Sequence, residues 1–134
     1  MEEENMKSVV VCGSKKYKDE IKVFCEELSA LGVLVFEPSI QAPILEHETV
    51  VDEYTTSKVF KGLTLEHFDW IRKADICFVY NKDDYAGISV SMEMAYAMAL
   101  GKPVFALNAK TGDPCRDALI DKVFKSAATL VKVL

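Results

Sequence analysis

Glu93 is the only charged side chain from Ile88 to Leu100, where Met92, Met94, Ala95, Tyr96, Ala97, Met98, Ala99 and Leu100 surround it. A helix of that composition is largely buried, and a carboxylate carried into such surroundings must be hydrogen-bonded, protonated or put to use. Two plain accounts compete with use. A first-turn glutamate complements the helix dipole, or hydroxyls such as those of Ser89 and Tyr85 hold it. Its place at a helix start that faces the expected ligand cleft weighs toward chemistry.

Other residues stand where a ligand would be met. A histidine can act as an acid/base, which makes His67 a candidate, although Phe60, Leu63 and Trp70 share its helical face and a packed core histidine is the competing account. Gly13 and Ser14 follow the first apolar run and can offer backbone N–H groups and a hydroxyl to a phosphate or sugar, unless a small turn is all that is needed. Gly87, Ser89 and Ser91 would be matching donors at the start of the Glu93 helix, or ordinary helix caps. Asn81, Asp84 and Tyr85 follow the third apolar run. An asparagine there suits a sugar hydroxyl or base edge, and Tyr85 can orient Glu93; turn chemistry is the alternative. Tyr17 and Asn108 are cleft candidates on topology alone. Trp70 and Tyr96 read as packing.

The elements that must position these groups alternate along the chain. Apolar runs over 9–12, 33–36, 75–80, 103–107 and 127–133 read as five strands, and the steps of four, three, four and three through Tyr17, Ile21, Phe24, Leu28 and Leu31 mark a helix ended by Gly32. Further helices are expected over 58–73, over 90–100, and from Asp113-Pro114 to about residue 124. Residues 37–57 form a long, proline-bearing loop of a length that often carries function. Strands apolar throughout indicate a parallel sheet covered on both faces. The expected fold is a small doubly wound, flavodoxin-like α/β domain with order 2-1-3-4-5, ligands meeting the strands' C-terminal ends. Segments 13–17, 37–51, 81–93 and 108–113 therefore border the cleft. Residues 1–6 are read as a flexible N-terminus and 7–134 as one domain.

Composition narrows the function. The 134 residues carry 16 basic and 21 acidic side chains for a net charge of −5, which argues against a nucleic-acid polymer or anionic membrane as partner. No apolar run approaches the ~18–20 residues of a membrane span, and the acidic start lacks a signal-peptide pattern, so a cytoplasmic protein is expected. Cys12, Cys25, Cys77 and Cys115 form no Cys-x-x-Cys pair, and with only His47 and His67 beside them they read as plain thiols and no metal site is expected. There is no G-x-G-x-x-G after the first strand, Gly101-Lys102-Pro103 is not a P-loop, and no G-x-S-x-G elbow is present.

The stretch Ala74-Asp75-Ile76, followed by Asp84-Tyr85-Ala86-Gly87-Ile88-Ser89-Val90-Ser91-Met92-Glu93-Met94-Ala95-Tyr96-Ala97-Met98-Ala99-Leu100-Gly101-Lys102-Pro103-Val104, resembles the signature of the nucleoside 2-deoxyribosyltransferase superfamily. Its most specific part is Gly-x-Ser-x-x-x-Glu-x-Ala-x-Ala-x-x-x-Gly-Lys-Pro. Val11-Cys12-Gly13-Ser14 resembles the opening of the branch that hydrolyses 2′-deoxynucleoside 5′-phosphates. The similarity spans roughly residues 9–107.

The resemblance implies that Glu93 attacks the anomeric carbon of a deoxynucleoside to give a covalent deoxyribosyl-enzyme, which water or a second base then resolves. It implies cleavage or transfer at the N-glycosidic bond of a nucleoside or nucleoside 5′-monophosphate, no metal or organic cofactor, and a homodimer or larger homo-oligomer. Two departures matter. His67 stands where the family commonly places an aspartate, and Asp69, two residues on, would point to another face. The end of the chain, Val131-Lys132-Val133-Leu134, has no polar group of the kind some transferases lend to a neighbouring subunit. A non-catalytic nucleotide-binding or sensing module of the same fold is the alternative function, and a plain interaction domain leaves the placement of Glu93 unexplained.

Overall fold

The structure is a computed structural model and describes residues 6–38 and 52–134. Strand β1 (Val9–Gly13) leads through a short 3-10 turn into helix α1 (Lys18–Ala30), and β2 (Val35–Phe36) follows. Helix α2 (Glu53–Lys73), β3 (Ile76–Tyr80), α3 (Ile88–Ala99) and β4 (Val104–Ala106) come next, then α4 (Pro114–Asp117), β5 (Lys122–Val123) and α5 (Ala127–Val131). Every strand pair is parallel and the order is β2-β1-β3-β4-β5, as the sequence predicts.

The period-two geometry of a strand sorts the apolar residues onto two faces. Val9, Val11, Ile76 and Phe78 pack with Ile21 and Leu28 of α1 and Leu130 of α5. Val10, Cys12, Cys77 and Val79 turn the other way, against Ile71 of α2 and Val90, Met94 and Ala97 of α3. Each fully buried aliphatic side chain is worth about 1.5–3 kcal/mol of transfer free energy, so both faces are firmly closed. The second face matters for the site, because it brings Cys12 under the helices that carry His67 and Glu93.

Three expectations need correcting. The fifth strand is Lys122–Val123, paired with Phe105 and Ala106, and 127–133 is no strand. Ser126 and Thr129 form a capping box that starts α5, and Ala127 and Leu130 three residues apart bury one helical face. The short period hid in an apolar run. Helix α4 stops at Asp117, far short of residue 124; Asp113 caps it by accepting from the N–H groups of Cys115 and Arg116 at 2.8 and 3.2 Å. Helix α2 begins at Glu53, not near residue 58, because Asp52 Oδ1 accepts the N–H of Thr55 at 2.7 Å and caps it. The rest of the long loop, 39–51, and residues 1–5 of the expected flexible N-terminus lie outside the described residues. No helix among the described residues is long and apolar enough to cross a membrane.

Candidate active site

A cavity of about 530 Å³ opens at the C-terminal end of β1, between α2 and the first two turns of α3. Gly13, Ser14 and Lys15 form one wall, Phe60, Leu63, Thr64, His67 and Phe68 of α2 a second, and Tyr85, Gly87, Ser89, Met92 and Glu93 a third. Seven of the residues singled out in the sequence thus meet in one place: Gly13, Ser14, His67, Tyr85, Gly87, Ser89 and Glu93.

Glu93 lies in the second turn of α3, whose first turn holds no acidic residue, so the helix-dipole account does not apply. No hydrogen bond among the described residues joins it to Ser89 or Tyr85. Its neighbour is His67: Nε2 stands 3.1 Å from Glu93 Oε2, both side chains being nearly buried at 9 and 15% exposure. The distance is that of an ion pair, yet no donor is aligned on Oε2, which is shut away from solvent. The same Nε2 lies 3.2 Å from Cys12 Sγ, and Cys12 Sγ is 3.5 Å from Cys77 Sγ. The hydrogen bond with Cys77, followed by burial and by the nearby Glu93 carboxylate, holds the Cys12 thiol well above its ordinary pKa and therefore protonated.

Chain geometry explains the convergence. His67 is on the buried side of α2, with its ring edge-on to Trp70, while Asp69 faces solvent in ion pairs with Arg72 and Lys73 at 3.1 and 2.8 Å. Asp69 is thus turned away from the cavity, as expected. Arg72 Nη1 also donates to the Tyr96 hydroxyl at 2.7 Å, and Phe68 packs on Tyr96, which ties α2 to α3. The turn before α3 is held from below by Arg116, whose Nη1 donates to the Ala86 carbonyl at 2.9 Å and to Ser91 Oγ at 3.0 Å. Gly87 caps α3 with no side-chain bond to the first-turn N–H groups, and Gly87, Ile88, Ser89 and Val90 of that end line the cavity.

Gly13 lines the cavity and packs closely against α1. A Cβ there would come 2.5 Å from Ile21 Cδ1. Ser14 accepts the N–H of Lys16 at 3.2 Å and so helps start the 3-10 turn beside the cavity.

Four expected site residues do not line the cavity. Asn81 is fully buried and saturated: Nδ2 donates to the carbonyls of Asn108 and Lys110 at 2.8 and 2.6 Å, and Oδ1 accepts from the N–H groups of Leu107 and Asn108 at 3.1 and 2.9 Å. Asn108 returns the contact by donating from Nδ2 to the Asn81 carbonyl at 2.9 Å, and its Oδ1 meets Lys125 Nζ. The pair clamps the loops after β3 and β4 together. Tyr17 is buried and donates to Asp83 Oδ2 at 3.1 Å. Asp84 occupies a left-handed turn position with φ 57° beside Asp83 at φ 56°, so turn chemistry accounts for it. Tyr85 remains at the cavity, with Lys16 Nζ 4.8 Å from its ring centre.

Lys15, Ile88 and Met92 fall within the segments expected to border the cleft, whereas sequence reasoning missed Thr64 and Phe68 of the lining and Arg116 beneath it. Phe60, Leu63 and His67 at helical spacing were the available signal. It was read as a core stripe, whereas Phe60 is half exposed. Cys12 is the larger surprise. Together with His67 and Glu93 it forms a group whose ligand atoms all lie within 4.8 Å of one another, a juxtaposition that the spacing of the cysteines did not signal.

No family model matches the chain, and no curated protein does. Solved structures do. A 2-deoxyribosyltransferase from Bacillus psychrosaccharolyticus superimposes with a TM-score of 0.64 at 18% identity, over 92% of this chain and 89% of its own. A conserved protein from Enterococcus faecalis V583 gives 0.58 at 16% identity, over 95 and 96%. A CMP N-glycosidase from Clostridium botulinum gives 0.52 at 14% identity, also over 95 and 96%. The chain shares the α/β fold of these solved structures.

Proposed function

We propose that the chain belongs to the nucleoside 2-deoxyribosyltransferase superfamily and breaks or transfers the N-glycosidic bond of a nucleoside, deoxynucleoside or nucleoside 5′-monophosphate, with Glu93 as nucleophile. One observation carries the reading: the nearly buried Glu93 carboxylate lines a cavity of about 530 Å³ beside the His67 imidazole. The fold it shares with a deoxyribosyltransferase and a CMP N-glycosidase supports the same chemistry.

In this mechanism a carboxylate oxygen of Glu93 forms a bond to the anomeric carbon as the carbon–nitrogen bond breaks. The bonding pair leaves with the base nitrogen, which takes a proton from protonated His67. Water, giving its proton to His67, then attacks the anomeric carbon and releases Glu93 and free sugar; a second base in place of water completes a transfer. Ser14, Ser89 and the first-turn N–H groups of α3 hold the sugar or its phosphate, Tyr85 borders the same space, and Phe60, Phe68 and Met92 offer an apolar wall to the base. Neither metal nor organic cofactor takes part in this step.

A second reading, a binding or sensing module of the same fold, draws on the 3.1 Å His67 contact, since an imidazolium paired to the carboxylate lowers its nucleophilicity. A homo-oligomer fits the apolar residues bordering the cavity, of which Ile88 is 85% exposed and Phe60 50%. The test incubates the protein with deoxynucleosides, ribonucleosides and their 5′-monophosphates, with and without a second free base, beside Glu93→Ala. Base release or exchange by the native chain supports catalysis. Saturable binding of unchanged nucleotide supports the module.

A further inference from the structure

The arrangement of Cys12, His67 and Glu93 is not a catalytic relay. In a Cys–His–carboxylate relay the imidazole bridges its partners through its two different nitrogens. Here thiol and carboxylate both approach Nε2, at 3.2 and 3.1 Å, and the carboxylate oxygen concerned has no aligned donor. Donors gathered around one point, instead of strung in series, are the geometry of a ligand set.

We infer that Cys12 Sγ, His67 Nε2 and Glu93 Oε2 form a binding site for a borderline-soft divalent cation of the zinc type. The donor types fit. Zinc takes thiolate sulfur at about 2.3 Å, imidazole nitrogen at about 2.0–2.1 Å and carboxylate oxygen at about 2.0–2.2 Å. Tetrahedral angles at those lengths place sulfur and nitrogen about 3.6 Å apart and nitrogen and oxygen about 3.4 Å apart. The observed separations of 3.2 and 3.1 Å need to open by a few tenths of an ångström, and the sulfur–oxygen separation, at most 4.8 Å, must settle at about 3.6 Å. All three ligand atoms already lie within 4.8 Å of one another.

Charge and rigidity point the same way. Binding converts the Cys12 thiol to thiolate with release of one proton to solvent, and thiolate plus carboxylate balance the two charges of the cation. The three ligands come from β1, α2 and α3, each anchored in the sheet's second core face, so little reorganisation is required. His67 and Glu93 line the cavity while Cys12 sits behind them, which directs a fourth coordination position into the cavity. On the reading that Glu93 is the nucleophile, the cation withdraws that carboxylate from the sugar and acts as a reversible inhibitor. Binding itself does not depend on that reading.

The test titrates the reduced, ligand-free protein with Co²⁺ in the absence of any nucleoside and follows the near-ultraviolet sulfur-to-cobalt charge-transfer band. Zn²⁺ is then added to displace it. The expected result is a band saturating at one equivalent and bleached by Zn²⁺. It should be retained in Cys115→Ser, which removes the exposed thiol. Cys12→Ala and His67→Ala should each weaken binding by at least roughly 100-fold, above what outer-shell changes cost. Near-ultraviolet circular dichroism and thermal unfolding establish that each variant is folded, and the wild-type and Cys115→Ser titrations stand without the buried substitutions. Absence of the band, its loss in Cys115→Ser, or its persistence in folded Cys12→Ala overturns the site. A Zn²⁺-binding protein that turns over no nucleoside keeps the site and removes the glycosidic reading; an active enzyme without the band does the reverse.

Discussion

His67 of α2 and Glu93 of α3 meet at 3.1 Å across the floor of the cavity, although 26 positions apart in the chain. Each is held there by its own helix, and the two helices are tied by the Arg72–Tyr96 hydrogen bond of 2.7 Å. The contact sets the orientation of the carboxylate and puts a proton-carrying group beside it. His67→Gln keeps a polar side chain and removes the acid/base function proposed for the imidazole. A fall in kcat of roughly 10²–10⁴ is expected, with loss of the limb of the pH–rate profile that the imidazole supplies. An unchanged profile at reduced rate would assign His67 to positioning alone.

Asn81 ties the loops after β3 and β4 together and does not line the cavity. Asn81→Ala leaves the Asn108 N–H and the carbonyls of Asn108 and Lys110 without their Asn81 partner, while the Leu107 N–H keeps the Val79 carbonyl at 3.0 Å, a loss of about 1–3 kcal/mol. Urea unfolding should show a lower midpoint at unchanged slope. Once folded, the variant should bind nucleotide with an unchanged Kd, since the side chain does not line the cavity.

Gly13→Ala tests the packing of the strand that opens onto the site. The new methyl meets Ile21 Cδ1 at 2.5 Å and forces that side chain aside, costing about 1–3 kcal/mol. Ile21→Val removes the clashing Cδ1 atom, so the double variant should recover part of the loss in a thermodynamic cycle.

Asp75 links β3 to β1 by accepting from the Ser8 N–H at 2.7 Å and the Ser8 hydroxyl at 3.0 Å. The backbone N–H of Ser8 is the main cause that holds its pKa below the usual carboxylate value. A depressed folded-state pKa contributes stability that is present above the unfolded value of about 3.9 and is lost as the pH falls through the folded value. Thermal unfolding of the native protein should therefore decline below about pH 4 more steeply than that of Asp75→Asn.

The order of the sheet was legible because each strand of the interior is apolar on both faces, as Val9 to Cys12 and Ile76 to Val79 show. The end of the chain misled for a related reason: an apolar run containing Thr129, Val131 and Val133 has the composition of a strand, and only the Ser126–Thr129 cap marks it as a helix. At the site, Glu93 was visible because one charge in an apolar helix has few places to go. Asn81 and Asn108 were misplaced because a polar residue after a strand suits a loop clamp as well as a ligand. The Cys12–His67 contact joins residues 55 positions apart and depends on which face of β1 the thiol takes, so spacing carried no sign of it.

The central claim is that Glu93 is the nucleophile for glycosidic cleavage. Its most direct test is base release, by chromatography, from the panel of nucleosides and 5′-monophosphates with native protein and Glu93→Gln. The substitution keeps the size of the side chain and removes its charge. The account predicts release or exchange of base by the native protein, reduced at least about 10³-fold in a Glu93→Gln variant of unchanged thermal stability. Base release that persists undiminished in Glu93→Gln, or native protein that releases none from any member of the panel, would contradict it.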